Sequence, residues 1–410
     1  MELKTNYQYT YFVHPFAVKE NKYQKYILKL LKDRRCNLKR FEKEKDLDIY
    51  KFFTPKVREF MFSSFSLPEN KLKKMEELPV ETRATLISEF DCSIFEYNFG
   101  KDVQGKTKDD DTGIFFRIQK IEVICFKTGI CFLAIKTTIE NTEEFADILN
   151  FNYKFRDIKQ EEILSGYDNI KIQVENFSNV EMFSDFIRNI IGSNVESMKL
   201  GIDTERFLTY SYVCVDSSAW NKDNQFSEIK SQYSKYANIL KADSNIEFEK
   251  DEAITITKWK YAKLGITKNA TTLFTSTAEM NNYTILPSEF ENQYFYTYIL
   301  NLYKILYLKK INLELKTKQD LKNTRKRFVN FTRNLWIQEV TEDEIGNTLE
   351  HHYKKVFEIE NIYYQIKDKY DVIYKDSNIE KNSKSTTIIA IILVISLLLN
   401  ILNFIVLMGK

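Results

Sequence analysis

TTIIAIILVISLLLNILNFIVLMG, residues 386–409, holds no charged residue, no proline and a single glycine. A helix of about 20 apolar residues is long enough to cross the roughly 30 Å hydrocarbon core of a bilayer. A core helix of that length in a soluble protein normally keeps a polar face, and this stretch has none. The reading is a single-pass membrane protein with one C-terminal transmembrane helix, a tail anchor. The other strongly apolar stretch, 123–135, is broken by Lys127 and Gly129.

The flanks of the span set its expected orientation. Lys367, Lys369, Lys375, Lys381 and Lys384 precede it, and only Lys410 follows. Positive flanks stay on the cytoplasmic side, and the N-terminus, MELKTNYQYTYFVHPF, lacks the apolar core of a signal peptide. The expected localisation is the cell membrane, with residues 1–380 in the cytoplasm and the lipid bilayer as a partner.

Composition bounds what precedes the span. In 410 residues the net charge is +2, which gives no general affinity for nucleic acid. The 31 Phe and 25 Tyr supply a large core. The abundance of Lys, Asn, Ile, Tyr and Phe, all with A/T-rich codons, suggests a bacterial source. Cys36, Cys92, Cys125, Cys131 and Cys214 form no CxxC pair, and in a reducing compartment they are free thiols. Ten glycines in 410 residues are few, and phosphate-cradling loops depend on glycine.

Periodicity divides the chain. A strand is predicted over 7–18, an amphipathic helix over 21–36, and a second helix over 46–61 interrupted near Pro55. A strand region at 86–99 is followed by a hairpin, 114–126 with 130–139, around Lys127-Thr128-Gly129. Asn141 is placed to cap a following helix, with Glu143 and Glu144 in its first turn. This makes a mixed α/β domain over 1–160. A mixed region follows over 161–288, with a helix at 183–191, extended runs at 206–216 and 252–262, and a return strand at 265–276. From 289 to 375 the pattern is a long-helix stalk. Thr341 and Glu344 fit a capping box at the start of its second helix. Ile345, Leu349, His352, Val356, Ile359, Tyr363, Ile366, Tyr370 and Ile373 mark a heptad seam there. That seam faces either the preceding helix of the same chain or a coiled coil between chains. Residues 376–385 are a polar linker. The fold class is α+β, a mixed α/β N-terminal part and a long helical C-terminal part, with the transmembrane helix at its end.

Several constellations bear on chemistry. Gly100-Lys101-Asp102-Val103-Gln104-Gly105-Lys106-Thr107 satisfies GxxxxGK[ST], so Gly100, Gly105, Lys106 and Thr107 are the candidate phosphate loop. No helix is predicted after it, and Asp109, Asp110 and Asp111 follow, which would repel phosphate. The segment 100–113 is therefore read as a polar loop between antiparallel strands. The three aspartates suit a hard cation, although consecutive side chains point different ways. His351 and His352 are adjacent, not the i, i+4 pair that holds zinc. His14 is the only other histidine. No nucleophile elbow or redox pair occurs, so an enzyme is disfavoured and no cofactor is indicated. Between Lys309 and Arg333 nine cations face two acids, a surface for lipid headgroups or an anionic ligand. In the expected span, Ser396, Asn400 and Asn403 share one heptad stripe. Amides in lipid seek partners on neighbouring helices, so a homo-oligomer with Asn400, Asn403 and Ser396 in its interface is expected.

The order of parts, an α/β domain, then very long helices, then an apolar helix, resembles CorA-like divalent-cation channels. The resemblance covers the chain as architecture. The Gly-Met-Asn signature and the second membrane span of that family are absent, so it transfers no site residue. What it implies is an oligomeric channel or membrane effector. The leading expectation is a membrane-anchored, non-enzymatic sensor or scaffold. The remaining alternative is a membrane-attached, nucleotide-dependent enzyme resting on the loop at Gly100.

Overall fold

The computed structural model describes residues 3–67, 74–99, 103–107, 114–140, 143–156, 170–174, 181–192, 206–246, 253–317, 321–336 and 339–408. Its strands are β1 Thr5–Ala17, β2 Cys36–Leu38, β3 Cys92–Tyr97, β4 Val103–Thr107, β5 Phe115–Phe126 and β6 Ile130–Ile139. They continue with β7 Ile170–Val174, β8 Glu181–Met182, β9 Leu208–Val215, β10 Ile254–Ile256, β11 Ala262–Ile266 and β12 Ala270–Ser276. All belong to one sheet, ordered β10-β11-β12-β9-β1-β6-β5-β4-β7-β8. The long strand β5 serves two partners end to end: its first half pairs with β4 and its second with β3, which carries β2 on its outer side. Among the described strands only β9 and β12 run parallel.

The main helices are α1 Tyr23–Lys32, α2 Leu47–Phe52, α3 Pro55–Met61, α4 Val80–Ile87, α5 Phe145–Arg156, α6 Phe183–Ile191 and α7 Phe226–Ala237. After these come α8 Phe295–Thr317, α9 Leu321–Phe331, α10 Glu344–Val356 and α11 Ile359–Met408. Side chains alternate across a strand, and here both sets are apolar, so both faces must be covered. Phe12, Phe16, Val123, Cys125, Leu133 and Val213 face a core closed by α1, α4, α5, α6 and α7. Tyr9, Tyr11, Ile124, Phe126, Phe132 and Tyr210 face a second core, closed by α2, α3, α8, α10 and the first turns of α11.

The second core explains the long helical pattern after residue 289. From Phe295 to Leu308 every residue of α8 is buried, as a helix apolar on all sides must be. Its inner face stacks on the sheet, with Tyr11 against Phe295 at 4.5 Å and Phe126 against Tyr303 at 3.8 Å. Its outer face carries α10, where Lys304 pairs with Glu350 at 3.0 Å. Of the expected seam, Leu349, Ile359, Tyr363 and Ile366 are buried in the α8 core of the same chain, while Tyr353 rather than His352 takes the buried place between them. Its helix is interrupted at Glu358, which has φ of +56°.

Several expectations need correction. Among the described residues no helix is long and apolar enough to cross a membrane. This overturns the transmembrane helix at 386–409 in the expected fold class, and with it the tail anchor and the single-pass cell-membrane localisation. The apolar segment is the distal part of α11 rather than a separate helix. Asn400 and 402–408 are described only as helical backbone, and 409 and 410 lie outside the described residues.

Other differences are local. Residues 376–385, expected as a linker, continue α11 as helical backbone. The region 86–99 opens with the end of α4, and its strand begins at Cys92. The helix cap is Asp343, whose side chain accepts from the Gly346 amide at 2.8 Å, while Thr341 donates its hydroxyl to the Phe52 carbonyl. The expected boundary at 160 lies within a single sheet, because β9 pairs directly with β1.

Candidate functional site

The candidate site is built on the segment Lys32-Asp33-Arg34-Arg35-Cys36-Asn37-Leu38-Lys39-Arg40. It joins α1 to β2 at the sheet's margin. Asp33 ends the helix, and its carboxylate accepts from the Arg35 backbone amide at 3.0 Å and from the Arg35 guanidinium at 3.1 and 3.0 Å. Those bonds hold the Asp33 carboxyl below its ordinary range. The compact turn then launches β2.

Just past β2 the next two cations part to opposite sides. Lys39 reaches the α8 face, donating to Glu122 at 2.7 Å and to the Tyr296 hydroxyl at 3.0 Å. Lys120 joins the same carboxylate at 3.1 Å. Burial alone would raise the Glu122 carboxyl, but the ammonium groups of Lys120 and Lys39 override it and hold it at about 2. Glu122 is wholly buried, so this cluster is a sealed support beneath β5 and not an accessible site.

Arg40 takes the opposite face, where it pairs with Glu76. There a cleft of about 190 Å³ opens between α1, β2 and α4. Arg34, Arg40 and Arg83 line it, with Leu38, Met75 and Ile87 as apolar wall. Arg83 comes from α4, and its Nε is buried without a hydrogen-bond partner. Among the described residues neither Arg34 nor Arg83 has a carboxylate partner. The site therefore offers two uncommitted guanidinium groups beside a paired one, a donor-rich recess suited to an oxyanion. Cys36 also lines it, but burial pushes its thiol up to about 12. It is no nucleophile at neutral pH.

The sites expected from the sequence are placed differently. Gly105, Lys106 and Thr107 lie in β4, paired with β5 and β7, not in a loop before a helix. A Cβ on Gly105 would meet the Phe116 ring at 2.2 Å, so this glycine allows close packing rather than phosphate approach. Gly100, Asp109, Asp110 and Asp111 lie outside the described residues. Among the described residues no group of three His, Cys, Asp or Glu is placed to hold a metal ion. His351 is exposed, and burial lowers the pKa of the partly buried His352.

Along 309–333, Lys310 is tied to Glu20 at 3.0 Å and to the Thr128 carbonyl at 2.8 Å. Arg327 bridges Glu314 and Glu20 at 2.6 and 2.7 Å. These cations clamp helices α8 and α9 to the start of α1 and the β5–β6 turn. Ser396 is exposed on α11, and the side chains of Asn400 and Asn403 lie outside the described residues. The buried hydroxyls of Thr10 and Ser211, 2.7 Å apart, bond to Asn152 and Tyr236 in the core and meet no base.

The missed signal was five cations in the nine residues from Lys32 to Arg40. What the sequence hides is which of them are neutralised, since Glu76 and Glu122 arrive from distant segments. Comparison with known protein families, with curated proteins and with solved structures finds no match.

Proposed function

We propose that this chain is a non-enzymatic binding protein, a sensor or scaffold whose cleft between α1, β2 and α4 takes a small anion. The observation that carries this reading is the pair Arg34 and Arg83, two guanidinium groups without carboxylate partners among the described residues, on the wall of a cleft of about 190 Å³. Unpaired cations held beside apolar side chains favour an anionic guest, because each charge-assisted hydrogen bond contributes about 1.5–3 kcal/mol. A binding role also fits the described chemistry. The thiols of Cys36, Cys92 and Cys125 are raised by burial, and the buried Ser211 lacks a histidine or carboxylate partner. A nucleotide-dependent enzyme draws no support from Gly105 and Lys106 in a sheet strand.

Titration calorimetry with inorganic phosphate at low ionic strength tests the reading. The wild type is expected to bind, and Arg34→Ala/Arg83→Ala to bind at least about tenfold more weakly. A wild type that does not bind, or a double variant with unchanged affinity, overturns it.

A further inference from the structure

We infer that the guest of this cleft is a small phosphate monoester, a dianion carrying an apolar body. This rests on the anion-binding reading above and adds the ligand's charge, geometry and size. Charge comes first. Arg34, Arg40 and Arg83 line the cleft with Asp33 and Glu76, and Arg35 is bonded to Asp33. Among the described residues Arg35 takes up Asp33 and Arg40 takes up Glu76, which leaves the charges of Arg34 and Arg83, two positive charges, uncompensated. A phosphate monoester carries about −1.5 to −2 at neutral pH, which matches that excess better than the single charge of a carboxylate.

Geometry is the second argument. Among the described residues the cations that line the cleft are arginines. The planar guanidinium fork presents paired N–H donors to two oxygens of one phosphate, where an ammonium acts as a point charge. The Arg83 Nε, buried and without a partner, is one such donor already withdrawn from water. Leaving it unmatched costs free energy that an oxyanion would recover.

Size and polarity set the remainder. Leu31, Leu38, Met75 and Ile87 form the apolar part of the wall. Inorganic phosphate would leave those side chains without contact, whereas a ring or short acyl body would cover them. Pockets for drug-sized ligands run to about 300–1,000 Å³, and about 190 Å³ falls below that range. A small monoester suits that volume better than a complete nucleotide. A magnesium-bound polyphosphate also lacks ligands, since Asp33 and Glu76 are both engaged by arginines.

The test compares phenyl phosphate, inorganic phosphate and benzoate on the full chain by titration calorimetry. Phenyl phosphate is expected to bind at least about tenfold more tightly than either of the others. Its affinity is expected to fall as pH drops through about 6, where the monoester takes up its second proton. Arg34→Ala, at an exposed position that does not threaten folding, is expected to weaken both phosphates. Met75→Ala is expected to weaken phenyl phosphate alone. Equal affinity for phenyl phosphate and inorganic phosphate overturns this inference and leaves the anion-binding reading intact. Benzoate binding as tightly as phenyl phosphate overturns the dianion assignment in the same way. Failure of all three to bind removes both readings.

Discussion

At Glu122 a single carboxylate holds Lys120 of β5 and Lys39 just past β2, and the consequences are open to direct measurement. Glu122→Gln keeps the shape but removes the carboxylate paired with Lys39 and Lys120, both mostly buried. Breaking a buried pair in this way costs about 3–5 kcal/mol, and urea unfolding at neutral pH should show that loss. The pH dependence has a defined sign. The folded-state carboxyl lies at about 2 against an ordinary 4.5. Its contribution is therefore complete above about pH 4.5 and is lost as pH falls towards 2. The wild type should lose stability across that window more steeply than Glu122→Gln. Gly129 offers a second test at this scale. It has φ of +82°, and an added Cβ would lie 2.1 Å from the Val18 carbonyl oxygen. Gly129→Ala is expected to cost about 1–3 kcal/mol by the same measurement.

Among the elements, those governed by neighbours in sequence were legible and those governed by distant packing were not. The β5–β6 hairpin could be read because alternation runs up to Lys127-Thr128-Gly129 on both sides, and the structure turns there. The interruption at Pro55 was legible because proline restricts the residue before it, and Thr54 is extended. The helix α8 was legible as a helix, but its place was not. Nothing local says that its inner face meets Tyr11 and Phe126 while Glu350 waits for Lys304 on the outer side. The α10 cap shows the same limit. Thr341 satisfies a capping pattern, yet its hydroxyl is taken by Phe52 from the other end of the chain. Asp343 does the capping instead, and Asp343→Ala is expected to cost about 1 kcal/mol in thermal unfolding. Thr341→Ala should not reproduce that loss through the helix end but through the broken tie to Phe52.

Over the whole molecule, one sheet covered on both faces accounts for the aromatic-rich composition. The cleft lies at the margin carrying β2, where residues of α1, β2 and α4 meet. The candidate site was half legible. The basic run from Lys32 to Arg40 stands in the sequence, but its sorting into neutralised and uncommitted cations depends on Glu76, Glu122 and Arg83, all far along the chain. Among the described side chains of the distal part of α11 none enters either core: Ile388, Leu393 and Leu399 are all more than half exposed. A chain ending at 384 should therefore unfold within about 0.5 kcal/mol of the full chain and bind inorganic phosphate equally well.

The central claim is that the cleft between α1, β2 and α4 holds an oxyanion. A crystal of the full chain soaked with tungstate, a heavy analogue of phosphate, locates bound anions by their anomalous signal. The account requires a peak in the cleft within hydrogen-bonding distance of the Arg34 and Arg83 guanidinium groups, absent from Arg34→Ala/Arg83→Ala crystals. Peaks only along the basic stretch from Lys309 to Arg333, with the cleft empty, would contradict it.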